Sequence, residues 1–171
     1  MTINFTEFIF FNNVGKLNQE NFPKYMEPFF PDGVLKGVSN ELQVYANSTG
    51  MKVMVKPGIC YVHTHRASNP TAEVEIQIDS SNPTYSRIDL IVARAVYDIA
   101  PNSYMCLAVK KGVPSANPAP PLIEQTAGVI WEIPLAEVTV GAGVQTISSG
   151  AVADKRIWAV LPIERGGTEA M

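Results

Sequence analysis

Apolar and polar residues alternate with a period of two along most of the chain, which predicts β-strands. The clearest example is the segment 73–78, where Val74, Ile76 and Ile78 alternate with polar residues. The turn sequence Ser-Asn-Pro-Thr occurs on both sides of this segment, at 68–71 and 81–84. Because such alternation and regular turns are typical of sandwiches and barrels, the pattern predicts an all-β fold, an antiparallel β-sandwich-like domain.

Residues 88–97 depart from this alternation, because both sets of alternating positions are largely apolar. The segment is therefore predicted to be a strand buried on both faces. Either it lies centrally in a two-layer sandwich with something packed outside it, or its outer face meets another subunit. Arg94 interrupts the segment, and burying an unpaired guanidinium is costly. We expect Arg94 to meet a carboxylate or carbonyl groups at a subunit contact, and we place Tyr97 at the same interface.

Residues 18–30 form the exception to the β pattern, because their apolar residues have the spacing of an amphipathic helix. Asn18 is a suitable N-cap, and Pro28 and Pro31 limit the helix to two or three turns. Its face is expected to plug an open end of the sandwich or to bind a partner. The residues of that face are Phe22, Tyr25, Met26, Phe29 and Phe30.

Three regions are expected on this basis: an N-terminal arm with the short helix (1–33), the sandwich-like domain (34–160) and a flexible C-terminal tail (161–171).

Residues 114–121 contain four prolines and cannot lie inside a sheet, because proline lacks the N–H that a strand ladder needs. We expect them to form a long ordered arm or lip. Pro134 in a later apolar strand indicates a sheet edge or a bulge.

Composition and charge narrow the class of protein. The 171 residues are 46% hydrophobic, which suits one domain with its own core. Thirteen Lys and Arg against sixteen Asp and Glu give a net charge of -3 without basic runs, so neither nucleic acid nor a membrane is the expected partner. No apolar run reaches the length of a spanning helix, and a soluble protein is expected. Two cysteines, Cys60 and Cys106, are too few for a disulfide scaffold and suggest a reducing compartment.

Candidate chemistry is sparse, and no cofactor is expected. His63 and His65 are the only histidines and would project from the same face of one strand. They could share a metal ion only if a carboxylate or a symmetry mate supplied further ligands. Two ligands make an incomplete site, so we interpret them as half-exposed strand residues.

Two acid–base pairs also share strand faces, Arg87 with Asp89 and Asp154 with Arg156. We interpret both as structural ion pairs, because no further histidine, cysteine or carboxylate lies nearby in sequence to complete an acid–base set. The sequence holds no evident nucleophile–base pair, and a protein that is not an enzyme is expected.

The order of several short motifs, between about residues 15 and 157, resembles one known family. The motifs are the helical segment 18–34, Leu42-Gln43-Val44, the segment 50–58, Tyr85-Ser86-Arg87-Ile88-Asp89, the segment 107–114, Ile133-Pro134-Leu135-Ala136-Glu137-Val138 and Asp154-Lys155-Arg156. In this order they resemble the N-terminal domain of tailed-phage upper-baseplate and tail-fibre adaptor proteins.

The resemblance implies a β-rich virion domain without catalytic activity. Such domains are usually multimeric, commonly trimeric, dock on a tail or baseplate ring and present a fibre or receptor-binding module. They are made and folded in the host cytoplasm. Here no heptad pattern follows Trp158, so an adaptor, a ring component or a head or neck attachment protein is favoured over direct receptor binding. The alternative is a carbohydrate- or host-surface-binding module in which exposed Trp131, Trp158 or tyrosine residues stack on sugar rings, although a core position is expected for both tryptophans.

Overall fold

The structure, a computed structural model, describes Met26 and residues 28–69, 71–97 and 103–159. Strands dominate this part of the chain, and the described elements include one short 3-10 turn, Ser149–Ala151. The strands are, in chain order, β1 (Gly33–Val34), β2 (Val44–Tyr45), β3 (Lys52–Val55), β4 (Gly58–Val62), β5 (His65–Asn69), β6 (Val74–Gln77), β7 (Arg87–Val96), β8 (Tyr104–Lys110), β9 (Gln125–Thr126), β10 (Ile130–Val140) and β11 (Val152–Asp154).

The strands form three antiparallel sheets, which confirms the predicted all-β fold. The largest sheet has the order β11-β10-β7-β8, with β9 also paired to β10. Two small sheets have the orders β1-β4-β5 and β2-β3-β6. The long β7–β10 ladder shifts register between Pro134 and Ala136, so the proline lies at an irregularity, as expected for a residue that cannot donate a ladder hydrogen bond.

One face of the large sheet packs against the two small sheets and forms the hydrophobic core. From β7 this inner face contributes Ile91, Ala93 and Ala95, all buried. The small sheets contribute residues such as Val55 and Val62, which are completely buried. Strand β6 has the predicted alternation, with Ile78 buried just beyond its end and Glu75 and Gln77 exposed. The sandwich-like arrangement follows from burying these apolar faces against one another.

Strand β7 is buried on both faces within a single chain. Leu90 and Val92 belong to the outer face, opposite the core, and Val92 has no exposed surface. Of the two alternatives for residues 88–97, the structure therefore shows packing inside the protomer. The apolar character of this strand does not by itself require another subunit.

The proline-rich segment crosses this outer face, and we call residues 111–124 the proline strap. The strap leaves β8 at one edge of the large sheet and leads into β9 at the other edge. The Ser115 N–H donates to the Ser86 carbonyl (3.1 Å), and the Glu124 N–H donates to the Glu132 carboxylate (2.7 Å). Because Glu132 pairs with Arg94 on the outer face, the strap lies over that face as an ordered arm.

The two ends of the described domain meet beside β1. The Val34 N–H donates to the Ile157 carbonyl (2.7 Å) and the Ala159 N–H donates to the Val34 carbonyl (2.9 Å), so the last segment runs parallel to β1. Gly33 permits this approach: its φ is 141°, and a Cβ at this position would lie 2.5 Å from the Ala159 nitrogen.

The predicted helix lies largely outside the described residues, since Phe22 and Tyr25 are not among them. At its predicted end, the N–H groups of Phe29 and Phe30 both donate to the Met26 carbonyl, which forms a turn. The predicted tail, 161–171, also lies outside the described residues.

Candidate functional site

His63 does not lie on one strand with His65, which corrects the prediction that they share a strand face. His63 and Thr64 form the turn between β4 and β5, and His65 is the first residue of β5. Both turn residues have left-handed backbones, with φ of 49° and 67°. Two-residue hairpin turns of this kind favour Asn-Gly, and a β-branched threonine in this region is unusual.

The turn nevertheless brings both histidines to Tyr97. The Tyr97 hydroxyl lies 2.9 Å from His63 Nδ1 and 3.3 Å from His65 Nδ1. Burial, with a smaller contribution from the nearby Asp32 carboxylate, raises the pKa of Tyr97 to about 12. Its hydroxyl therefore stays protonated at neutral pH. Tyr97, predicted as an interface residue, lies half-buried in this cluster.

Trp131 and Asp32 complete the surroundings of His63. The His63 ring stacks on the Trp131 indole, with centroids 4.2 Å apart and an angle of 7° between the planes. The Asp32 carboxylate accepts hydrogen bonds from the Trp131 indole N–H (2.6 Å) and the His63 backbone N–H. One carboxylate thus fixes both members of the stack.

A cavity of about 390 Å³ adjoins this cluster. The buried Thr64 hydroxyl has no hydrogen-bond partner among the residues that the structure describes. Within the described ranges, no group of three or more His, Cys, Asp and Glu residues is placed to hold a metal ion. The cavity is lined by Phe30, Pro31, Asp32, His63, Thr64 and Trp131.

Glu132 is the centre of a buried polar network that the sequence analysis missed. Its side chain has no exposed surface and carries ion pairs to Arg94 (2.6 Å) and Lys110 (2.8 Å). It also accepts the Glu124 N–H of the proline strap. Arg94 thus meets a carboxylate, as expected, but that carboxylate belongs to the same chain. The position of Arg94 therefore gives no separate argument for a subunit contact.

Charge in this network is balanced at Glu132. Burial alone would raise the pKa of this carboxyl group, but hydrogen bonds from Lys110, the Glu124 N–H and Arg94 outweigh it and lower the pKa below its ordinary value. Glu132 is therefore ionised at neutral pH and neutralises one cation on the neighbouring strand β7 and one on the next strand, β8.

The two acid–base pairs both form ion pairs within the chain. Arg87 Nε lies 2.9 Å from Asp89 Oδ1, and both side chains are almost fully buried. Asp89 also accepts the Gly112 N–H (2.8 Å), where the strap begins. The exposed Asp154 pairs with Arg156 (2.5 Å), and this contact lowers the pKa of Asp154. These interactions fix strand ends.

Both tryptophans pack against the hydrophobic core. Beside Trp158 lie two cations, the Arg156 guanidinium at 4.8 Å and the Lys36 ammonium at 5.7 Å from the ring centroid. The neighbouring groups therefore leave less aromatic surface for stacking on sugar rings than a fully exposed ring offers.

Of the eight large hydrophobic side chains that are exposed in the described part of the chain, three lie on the proline strap. Leu122 is 88% exposed, Val113 is 76% exposed, and Ile123 is also exposed. Of the predicted helix face, Phe29 is exposed, whereas Phe30 packs against the Tyr61 ring with centroids 5.0 Å apart. The strap thus presents exposed apolar side chains while hydrogen bonds hold it on the outer face of the large sheet.

An apolar groove of about 360 Å³ opens beside β8, the strand that ends the large sheet in the described part of the chain. Strands β4, β5, β6 and β7 also contribute residues to its walls. The amide nitrogen of Asn69, a groove residue, is buried and has no hydrogen-bond partner among the described residues. The lining residues are Leu42, Cys60, Ala67, Ser68, Asn69, Val74, Ala93, Arg94, Met105, Cys106 and Leu107.

Comparison with known protein families, with characterised proteins and with solved structures found no match to this chain. No helix in the described part of the chain is long and apolar enough to cross a membrane.

The Glu132 network predicts a large loss of stability when its carboxylate is removed. We expect Glu132→Gln to lower the free energy of unfolding by about 3 kcal/mol, because it leaves Arg94 and Lys110 without their counter-charge. The matched control is Glu137→Gln on the same strand, which removes an exposed pair with Lys155 (3.3 Å) and should cost less than about 1 kcal/mol. Urea unfolding measures both. Equal losses would contradict the assigned role of Glu132.

The lowered pKa of Glu132 also predicts a pH dependence. A carboxyl group with a folded pKa below its unfolded value stabilises the fold above the unfolded pKa, about 4.3, and this contribution is lost as the pH falls through the folded pKa. Wild-type stability should therefore decrease on acidification below about pH 4. The corresponding decrease should be smaller in Glu132→Gln, measured by urea unfolding between about pH 6 and pH 2. Parallel curves for the two proteins would refute this assignment.

Proposed function

We propose that this protein is a non-enzymatic phage virion structural protein. It acts as a homo-oligomeric adaptor in the baseplate or in the tail-fibre attachment. Domains of this type are commonly trimeric. The adaptor docks receptor-binding or fibre components to the particle. The resemblance of the ordered motifs to upper-baseplate and fibre-adaptor domains supports the virion assignment. In a variant of this proposal, the same domain serves in a head or neck attachment protein.

The observation that carries the proposal is the ordered, apolar proline strap. A segment that exposes Leu122 and Val113 yet is tied to the sheet at Ser115 and Glu124 is preorganised for docking. Little conformational entropy is lost when such a segment binds. Apolar contact contributes about 25 cal/mol per Å², so a few hundred Å² per protomer gives several kcal/mol before ordering costs.

Symmetry repeats a contact of this size once in every copy of the oligomer. In a closed ring or trimer each copy offers the same surface, and simultaneous engagement raises the overall affinity well above that of one protomer. An adaptor built in this way can hold its partner firmly although each single contact is modest.

The test uses Leu122→Glu, which places a charge on the strap without touching the core. Light scattering of the wild type is expected to show an oligomer, and purified tailed-phage particles carrying this chain should bind antibody to it at the tail or baseplate. Leu122→Glu should abolish incorporation into particles while its thermal unfolding is unchanged. The control is Thr146→Glu, an exposed change away from the strap. A monomeric wild type absent from particles would overturn the proposal.

A second candidate is a carbohydrate- or host-surface-binding module, favoured by the cavity beside Trp131. It combines aromatic walls with the Asp32 carboxylate and with the Thr64 hydroxyl, for which the described part of the chain supplies no hydrogen-bond partner. Polyhydroxylated ligands require this mixture. Binding of the isolated protein to a glycan array, lost in Thr64→Val without loss of thermal stability, would favour this candidate. Removal of a buried hydroxyl that has no partner should leave the fold intact.

A further inference from the structure

The groove at the free sheet edge has the features of a site for an additional strand. Strand β8 is seven residues long and ends its sheet in the described part of the chain. The outward backbone groups of such an edge strand can pair with another chain. Apolar side chains, among them Met105 and Leu107, line the groove beside this edge, so an added strand would gain both main-chain hydrogen bonds and side-chain burial.

We propose that the groove receives residues 3–11 of a second copy of this chain, added as a strand along β8. The inference rests on the oligomeric part of the proposed function and deepens it, because it names the segment that joins the copies. An exchange of this kind buries apolar surface in each acceptor and links neighbouring copies head to tail around a ring.

The sequence of this segment matches the groove. Residues 3–11 include Ile3, Ile9 and four phenylalanines, and they contain neither glycine nor proline. β-branched and aromatic residues of this kind favour a strand. At about 3.3 Å per residue the segment extends roughly 30 Å, and the seven residues of β8 extend roughly 23 Å.

The position of the preceding chain favours a second copy over the same copy. Phe30 packs against Tyr61, which alternates along β4 with the buried Cys60 and therefore lies on the face away from the core. Cys60, from the opposite face, lines the groove. Phe30 thus lies across this small sheet from the groove of its own chain. Residues between Phe11 and Met26 can extend on the order of 50 Å, enough to reach a neighbour.

Native Cys106 in the groove provides the test in the full-length protein. Phe8→Cys and Ile9→Cys place a thiol on the two alternate faces of the added strand, so one of them should face Cys106. Mild oxidation should give disulfide-linked species of two or more chains for one variant, with peptide mapping joining the new cysteine to Cys106. Burial raises the pKa of Cys60 to about 12, so that thiol should stay unreactive.

Two controls accompany the test. The link should disappear in the same variant with Cys106→Ser, and Thr146→Cys should form no link to Cys106. A disulfide between the new cysteine and Cys106 of the same chain would overturn the inference. So would an oligomeric protein in which neither variant is linked, although the proposed function would then stand. A protein that is monomeric by light scattering before oxidation would overturn both.

Discussion

The burial of β7 on both faces is the constraint on which the rest of the structure depends. A strand with core on one side and further chain on the other must satisfy every polar group that it carries. Its charged side chains are Arg87, Asp89 and Arg94. Arg87 and Asp89 pair with each other, and Arg94 pairs with Glu132 of β10. The carboxylates in turn accept backbone N–H groups from the two ends of the proline strap. The ion pairs of β7 and the path of the strap therefore depend on the same two carboxylates.

This arrangement explains how a segment rich in proline can be ordered without joining a sheet. Four of its fourteen residues are prolines, which have no N–H to satisfy, and the hydrogen bonds near its ends anchor it to the two central strands of the large sheet, β7 and β10. Its side chains Val113 and Leu122 are exposed. A surface that is apolar and fixed in place is suited to docking, and this is why the proposed adaptor role is centred on it.

Much of the fold could be predicted from the sequence, and the failures have physical causes. The alternation of apolar and polar residues correctly predicted strand β6. The two apolar faces of residues 88–97 correctly predicted that β7 is buried on both faces. Glu132 was missed because alternation assigns its side chain to the outer face, and nothing local shows that this face is covered. Arg94 was the available signal, since a guanidinium in an apolar strand requires a carboxylate. The turn at His63 and Thr64 was missed because these residues rarely adopt a left-handed backbone, so their sequence resembles a continuous strand.

The parallel contact between β1 and the segment around Trp158 has a mechanical consequence. Because β1 and this segment run parallel, the start of β1 and the end of the segment point in opposite directions. Tension between them would load the hydrogen bonds of Val34 along the strand axis, where they must break together rather than one after another. A component that transmits pulling force would be strengthened by this geometry, and Gly33 is the residue whose missing side chain allows it.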